Sequence, residues 1–264
     1  MRASLALAVA TLVGLADAAL AQGKLETHYG ITFARVSVGE INATAELTAN
    51  EYSIAANGNA RGIIKALISG EGELNARGAI EDGRLVPTEY NSRLKSETGA
   101  ASVKMELDHG QVKQLSITPA NANWDAAAKD AMQGVMDPLT ALLMPSTAGQ
   151  DGLSADACQR TVAVFDGHQR YNLKFAFKRL DKASESKRAY SGPTLVCSLS
   201  YEPVGLQQAE PLGKYLSEGR EMEIAFVALA GVPVLAPVRF SVSSMLAALV
   251  IEADRFAWTA APAN

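Results

Sequence analysis

Histidine and cysteine are scarce in this chain, with three and two among 264 residues. His28, His109 and His168 stand far apart, and no H-x-x-x-H, H-E-x-x-H or cysteine cluster connects them. Spacing therefore supplies no metal-ligand pair, and solvated turn histidines are the expected reading. There is no G-x-S-x-G elbow for a serine nucleophile; Ser191-Gly192 and Ser243-Ser244 read as turn residues. No G-x-x-x-x-G-K loop is present, and the glycines at 70, 72 and 78 lack the strand-to-helix setting that a phosphate cradle needs. Basic residues are not blocked together, and the formal net charge is −4, which argues against nucleic-acid binding. Beyond residue 21 no apolar run is long enough to span a bilayer; the longest candidate, residues 245–251, is far too short.

Residues 1–21 read as a signal peptide. Arg2 precedes an apolar core, and Ala19-Leu20-Ala21 gives the small-x-small pattern, with cleavage expected between Ala21 and Gln22. Asp17 interrupts the core, so a retained membrane anchor is disfavoured, and no cysteine near the cut offers a site for lipid attachment. Residues 22–264 are then expected to form a single exported domain. Export changes the reading of Cys158 and Cys197, because two cysteines in an oxidising compartment are expected to pair. The bridge would close a loop of 39 residues. A redox role would call for C-x-x-C spacing, which is lacking.

What is present is mostly strand signal. Residues 22–120 read as a meander. Tyr29, Ile31 and Phe33 alternate with polar or small neighbours, and a turn is expected at Val38-Gly39. Further strands are expected at 40–48 and from Tyr52 onward, helical turns at 61–69, and strands at 70–80 and 85–97 joined by Asp82-Gly83. Another hairpin, 102–107 with 111–117, crosses Asp108-His109-Gly110. Residues 123–145 are rich in Ala, Met and Leu, and a helix is expected there. Within it, Asp137 caps, Pro138 opens the last part, Leu139, Leu142 and Leu143 share a face, and Pro145 ends it.

Residues 157–260 read as strands linked by the disulfide. Asp166-Gly167 makes a hairpin turn, and Tyr171, Leu173, Phe175 and Phe177 share one face of the strand that leaves it. Three more strands are expected at 221–230, 233–243 and 245–258, although helix is an alternative at the start of the last. The fold class is mainly β: a curved antiparallel sheet forming an open β-barrel around a central α-helix. Either the concave face holds a lipid-like molecule, or the helix fills that space as solid core. Glu221 and Glu223 project together from one strand and could suggest paired-carboxylate chemistry, but an exposed charged face is the simpler reading. The same holds for the polar tip from Asp166 to Arg170, which reads as a solvated turn. No catalytic, cofactor or metal residue is assigned.

The constellation of V-F-D-G (Val164 to Gly167), Arg170-Tyr171, Y-S-G-P leading to Cys197, and P-V-R-F (Pro237 to Phe240) resembles an exported proteobacterial family, the domain of unknown function family numbered 3108. V-G-E (Val38 to Glu40) and D-P-L-T-A-L-L (Asp137 to Leu143) look similar as well. The resemblance implies a periplasmic protein with a spiral-like β architecture, distantly similar to lipoprotein-carrier folds. It brings no catalytic residues. The expectation for function is a non-enzymatic periplasmic protein that binds an apolar envelope component, such as a lipid, or a periplasmic protein partner, and supports cell-envelope integrity. An envelope hydrolase assembled from distant residues and a purely structural scaffold are the alternatives.

Overall fold

The computed structural model describes residues 22–60, 70–96, 99–120, 132–146, 152–183, 189–205, 214–216, 220–244 and 247–261. The expected signal peptide and the helical turns at 61–69 lie outside them. Seven strands come first: β1 (Gly23–Phe33), β2 (Val36–Leu47), β3 (Glu51–Ala60), β4 (Glu71–Glu81), β5 (Arg84–Ser96), β6 (Gly99–Asp108) and β7 (Gln111–Thr118). After the two-residue β8 (Met144–Pro145) follow β9 (Arg160–Phe165), β10 (Arg170–Ala183), β11 (Gly192–Val204), β12 (Glu221–Ala228), β13 (Val234–Ser243) and β14 (Ala248–Ala260). They form one antiparallel sheet in the order β7-β6-β5-β4-β3-β2-β1-β14-β13-β12-β11-β10-β9, with β8 added beside β13. The two meanders therefore join through β1 and β14, whose ladder runs from Gly23–Ala260 to Phe33–Leu249.

The hairpin turns follow local chemistry with two corrections, one being that the β9–β10 connection runs from Asp166 to Gln169 with positive φ at Gly167 and not at Asp166. Asp82-Gly83 and His109-Gly110 take positive φ at both central residues, as two-residue hairpins require. The first turn falls at Ala34-Arg35 (φ 49° and 69°) and not at Val38-Gly39. Gly39 lies inside β2, where a Cβ would stand 2.3 Å from the Asn59 carbonyl oxygen; the glycine serves close strand approach. Six ladders carry a bulge or register shift, at His28/Tyr29, Ile31/Thr32, Arg77/Gly78, Glu106/Leu107, Phe177/Arg179 and Ala225/Phe226. Each inserted residue bends its strand and raises the local twist, so the sheet curls about its buried face.

Among the described residues the sheet is not closed, and β7 and β9 are its edges. Backbone from 132–136 bridges the gap. Val112 N–H donates to Met132 O (3.0 Å) and Val135 N–H to Gly110 O (2.9 Å) on one side. On the other, Met136 N–H donates to Ala163 O and Phe165 N–H to Met136 O, both at 2.9 Å. Nearby, Gly167 rests so close to β6 that a Cβ there would be 2.4 Å from a Val103 methyl carbon.

From this seam the chain turns inward, and here the expected α-helix is not what the described residues contain. Asp137 does cap: its Oδ1 accepts from Leu139 N–H (3.0 Å) and Thr140 N–H (2.9 Å). The result is a single 3-10 turn, Thr140–Leu142, after which Leu143 is extended (φ −90°, ψ 134°). Proline at 145 biases Met144 toward the extended state, and Met144 and Pro145 pair with Leu235 and Val234 of β13. Leu143 is buried while Leu142 is exposed, so the expected common face is split. Residues 121–131 of the expected helix lie outside the described residues. Helix is likewise not what forms at 248–251, which is strand.

Candidate functional site

Strand direction places the Asp82-Gly83 turn, the His109-Gly110 turn and the start of β9 at one end of the sheet. An open cavity of about 390 Å³ lies there. Its apolar wall comprises Leu85, Met136, Leu143, Pro145 and Ala157; Arg84, Asp156 and Arg160 supply the charges. Leu85 is turned inward by the alternation of β5, and the interior segment supplies Met136, Leu143 and Pro145. Ala157 belongs to a 3-10 turn, Ala155–Cys158, capped by Ser154 Oγ, which accepts from Asp156 N–H. Cys158 ends that turn and is bonded to Cys197 of β11 (S–S 1.98 Å, Cα–Cα 5.6 Å), both fully buried. The disulfide thus reaches across β10 and fixes one wall of the cavity.

Deeper in, the interior is unusually polar. Asp137 is fully buried; its Oδ1 serves the cap, and its Oδ2 has no hydrogen-bond partner among the described residues. Burial pushes this carboxyl up to about 6, against the pull of the backbone N–H groups of Leu139 and Thr140. Tyr52 Oη and Thr140 Oγ1 share a hydrogen bond of 2.8 Å. Burial, and then the charge of Asp137, raise the phenols of Tyr52 and Tyr90. Tyr171 is raised by burial first and by Asp166 next, and its ring lies 4.7 Å from that of Tyr201. These groups can hold polar atoms in a dry setting.

The candidates weighed from sequence are dispersed. His28 bonds to Asp254 from β1, His109 contacts Asp108 and Glu81 at a hairpin end, and His168 sits in the β9–β10 loop. Among the described residues no three metal-binding side chains gather. Lys178 contacts both Glu221 and Glu223, and Arg179 reaches Glu223 at 3.1 Å, so these carboxylates are neutralised by neighbours. Asp166 Oδ1 accepts from the His168 and Gln169 N–H groups, both at 2.8 Å, and Arg170 donates to Gln133 O at 2.8 Å. The polar tip is therefore bound into the loop and seam. A cleft of about 50 Å³ between Arg179, Glu223, Arg239 and Glu252 is small and already ion-paired.

Sequence reasoning missed the cavity residues Arg84, Leu85, Met136, Ala157 and Arg160. One signal was available: Arg160 shares the period-two register of Val162 and Val164, which are buried. A charge on the dry side of a strand is the kind of exception that marks a site.

Comparison with known proteins adds the family. The family described as "Protein of unknown function (DUF3108)" matches residues 26–254. No curated protein matches the chain. A solved structure to which it is similar is a β-barrel-like protein of domain of unknown function DUF1849 from Brucella abortus. Identity is 9%, the TM-score is 0.46, and the alignment covers 92% of this chain and 99% of that one.

Proposed function

We propose, from the premise that this chain belongs to the DUF3108 family, that it is an exported, non-enzymatic protein that binds an apolar component of the bacterial envelope. The cavity at the β4–β5 end carries the reading: its wall is apolar, its volume is about 390 Å³, and it is open to solvent at a charged rim. Pockets of small ligands fall in the range of roughly 300–1,000 Å³ and combine apolar walls with a few placed polar groups. The disulfide supports export, since such bonds persist in oxidising compartments. Periplasmic residence and support of envelope integrity belong to the same proposal.

Native mass spectrometry of protein purified from the periplasmic fraction tests it. A co-purifying lipid-like mass, lost when a bulky side chain replaces Ala157 in the cavity wall, is the expected result. Empty protein that captures no added apolar molecule would overturn it and favour a scaffold.

A further inference from the structure

Four described arginines are partly buried: Arg160, Arg170, Arg220 and Arg239. Three of them have partners. Arg170 donates to Gln133 O, Arg220 donates to Tyr215 O and stacks on its ring, and Arg239 reaches Ser241 Oγ and Glu252. Arg160 differs, since its side chain has no hydrogen-bond or ion-pair partner among the described residues. Burial alone lowers its pKa, with no neighbouring charge opposing the change. Buried cations are normally paired, because loss of water is otherwise uncompensated. Arg84, on β5, stands on the same cavity and also lacks a partner among the described residues.

We infer that the cavity receives a single-chain amphiphile with an anionic head, its tail against Leu85, Met136, Leu143 and Ala157 and its carboxylate held by Arg160, assisted by Arg84. The inference rests on the apolar-ligand reading above and names the ligand's class. A guanidinium offers a planar fork of donors matched to a carboxylate, which gives both charge and orientation. The volume lies near the lower end of the ligand-pocket range and suits one chain better than two. Asp156, which also lines the cavity, is exposed, so water screens its repulsion, while Arg160 is half-buried.

The test uses the mature chain loaded with N-phenyl-1-naphthylamine, a neutral fluorescent probe, displaced by dodecanoate or by dodecanol. Wild-type protein is expected to prefer dodecanoate. Arg160→Gln should weaken dodecanoate roughly tenfold, the loss of one charge-assisted contact, and leave dodecanol within about twofold. Arg160→Lys, which keeps the charge without the fork, should fall between. Equal affinity of the wild type for both ligands, or a preference retained by Arg160→Gln, overturns the head-group assignment and leaves the apolar cavity standing. Failure of the probe and of both ligands to bind wild type overturns the binding function itself. Displacement by acetate as effective as by dodecanoate would mean a small-anion site, and also defeats the inference. If Arg160→Gln does not melt cooperatively, Arg160→Lys and Arg84→Gln provide the same comparison.

Discussion

On the flank built from β3 to β6, strands bury alternate residues and wet the others. In β6, Val103, Met105 and Leu107 are buried while Lys104, Glu106 and Asp108 are exposed. The opposite flank follows a different rule. In β11 the run Thr194, Leu195, Val196 and Cys197 is buried without interruption, and β12 adds Phe226 and Val227 together. Two dry faces remove more apolar surface from water than one, so the β11–β13 flank should resist local opening better. It also holds the disulfide, and through it one wall of the cavity. The softer flank contributes the other wall, at Arg84 and Leu85, so the site spans a stable and a yielding region.

The largest effect should come from removing the staple. Cys197→Ser reopens a 39-residue loop, for which the chain-entropy expectation is ~4 kcal/mol, an upper figure. Its melting temperature should drop in oxidising buffer and match the parent under reductant. Hydrogen exchange should show β11 protection falling toward that of β6; equal melting of the two proteins without reductant would count against the bond. The next effect acts on both flanks, because Asp137 faces Tyr52 from one and Tyr171 from the other. Its carboxyl is held at about 6 against an ordinary 3.8, so the folded chain holds that proton more tightly than the unfolded chain. The stabilisation is complete below pH 3.8 and is lost as pH rises through 6, on the order of 3 kcal/mol. Thermal melting from pH 4 to 8 should show that slope in the parent and a flatter profile in Asp137→Asn.

Smaller effects separate the flanks at their contacts. Gly167→Ala places a methyl where φ is +99° and Val103 is 2.4 Å away, so a loss of about 2 kcal/mol is expected, with exchange increasing in both β6 and β9. An increase in only one strand would show that the seam does not couple them. Tyr52→Phe, which deletes the bond to Thr140, should cost about 1 kcal/mol and loosen the interior segment more than either flank. Urea titration measures the loss and hydrogen exchange locates it.

Much of the sheet was legible because turn chemistry is local: Asp82-Gly83 and His109-Gly110 mark their hairpins by residue type alone, whereas at Asp166-Gly167 only the glycine has positive φ and the loop runs on to Gln169. Ala34-Arg35 carries no such mark, since those residues adopt left-handed backbone only because Phe33–Val36 pairing continues on either side. The interior segment was misread for a related reason. Asp137-Pro138 signals a helix start, but pairing of Met144 with Leu235, a partner 91 positions away, decides where helical backbone stops. The cavity was the least legible part. It depends on which ends of β5 and β9 face each other across a curled sheet, and only the misplaced charge of Arg160 hinted at it.

The β1–β14 ladder has a consequence for how the molecule is made. β1 can pair with β2 soon after both are synthesised, yet its other edge stays open until β14 has arrived, some 230 residues later. Throughout that interval a row of backbone donors and acceptors is free to recruit a stranger. A chain truncated before β14 would keep most of its hairpins and leave one edge of β1 unpaired along its midline.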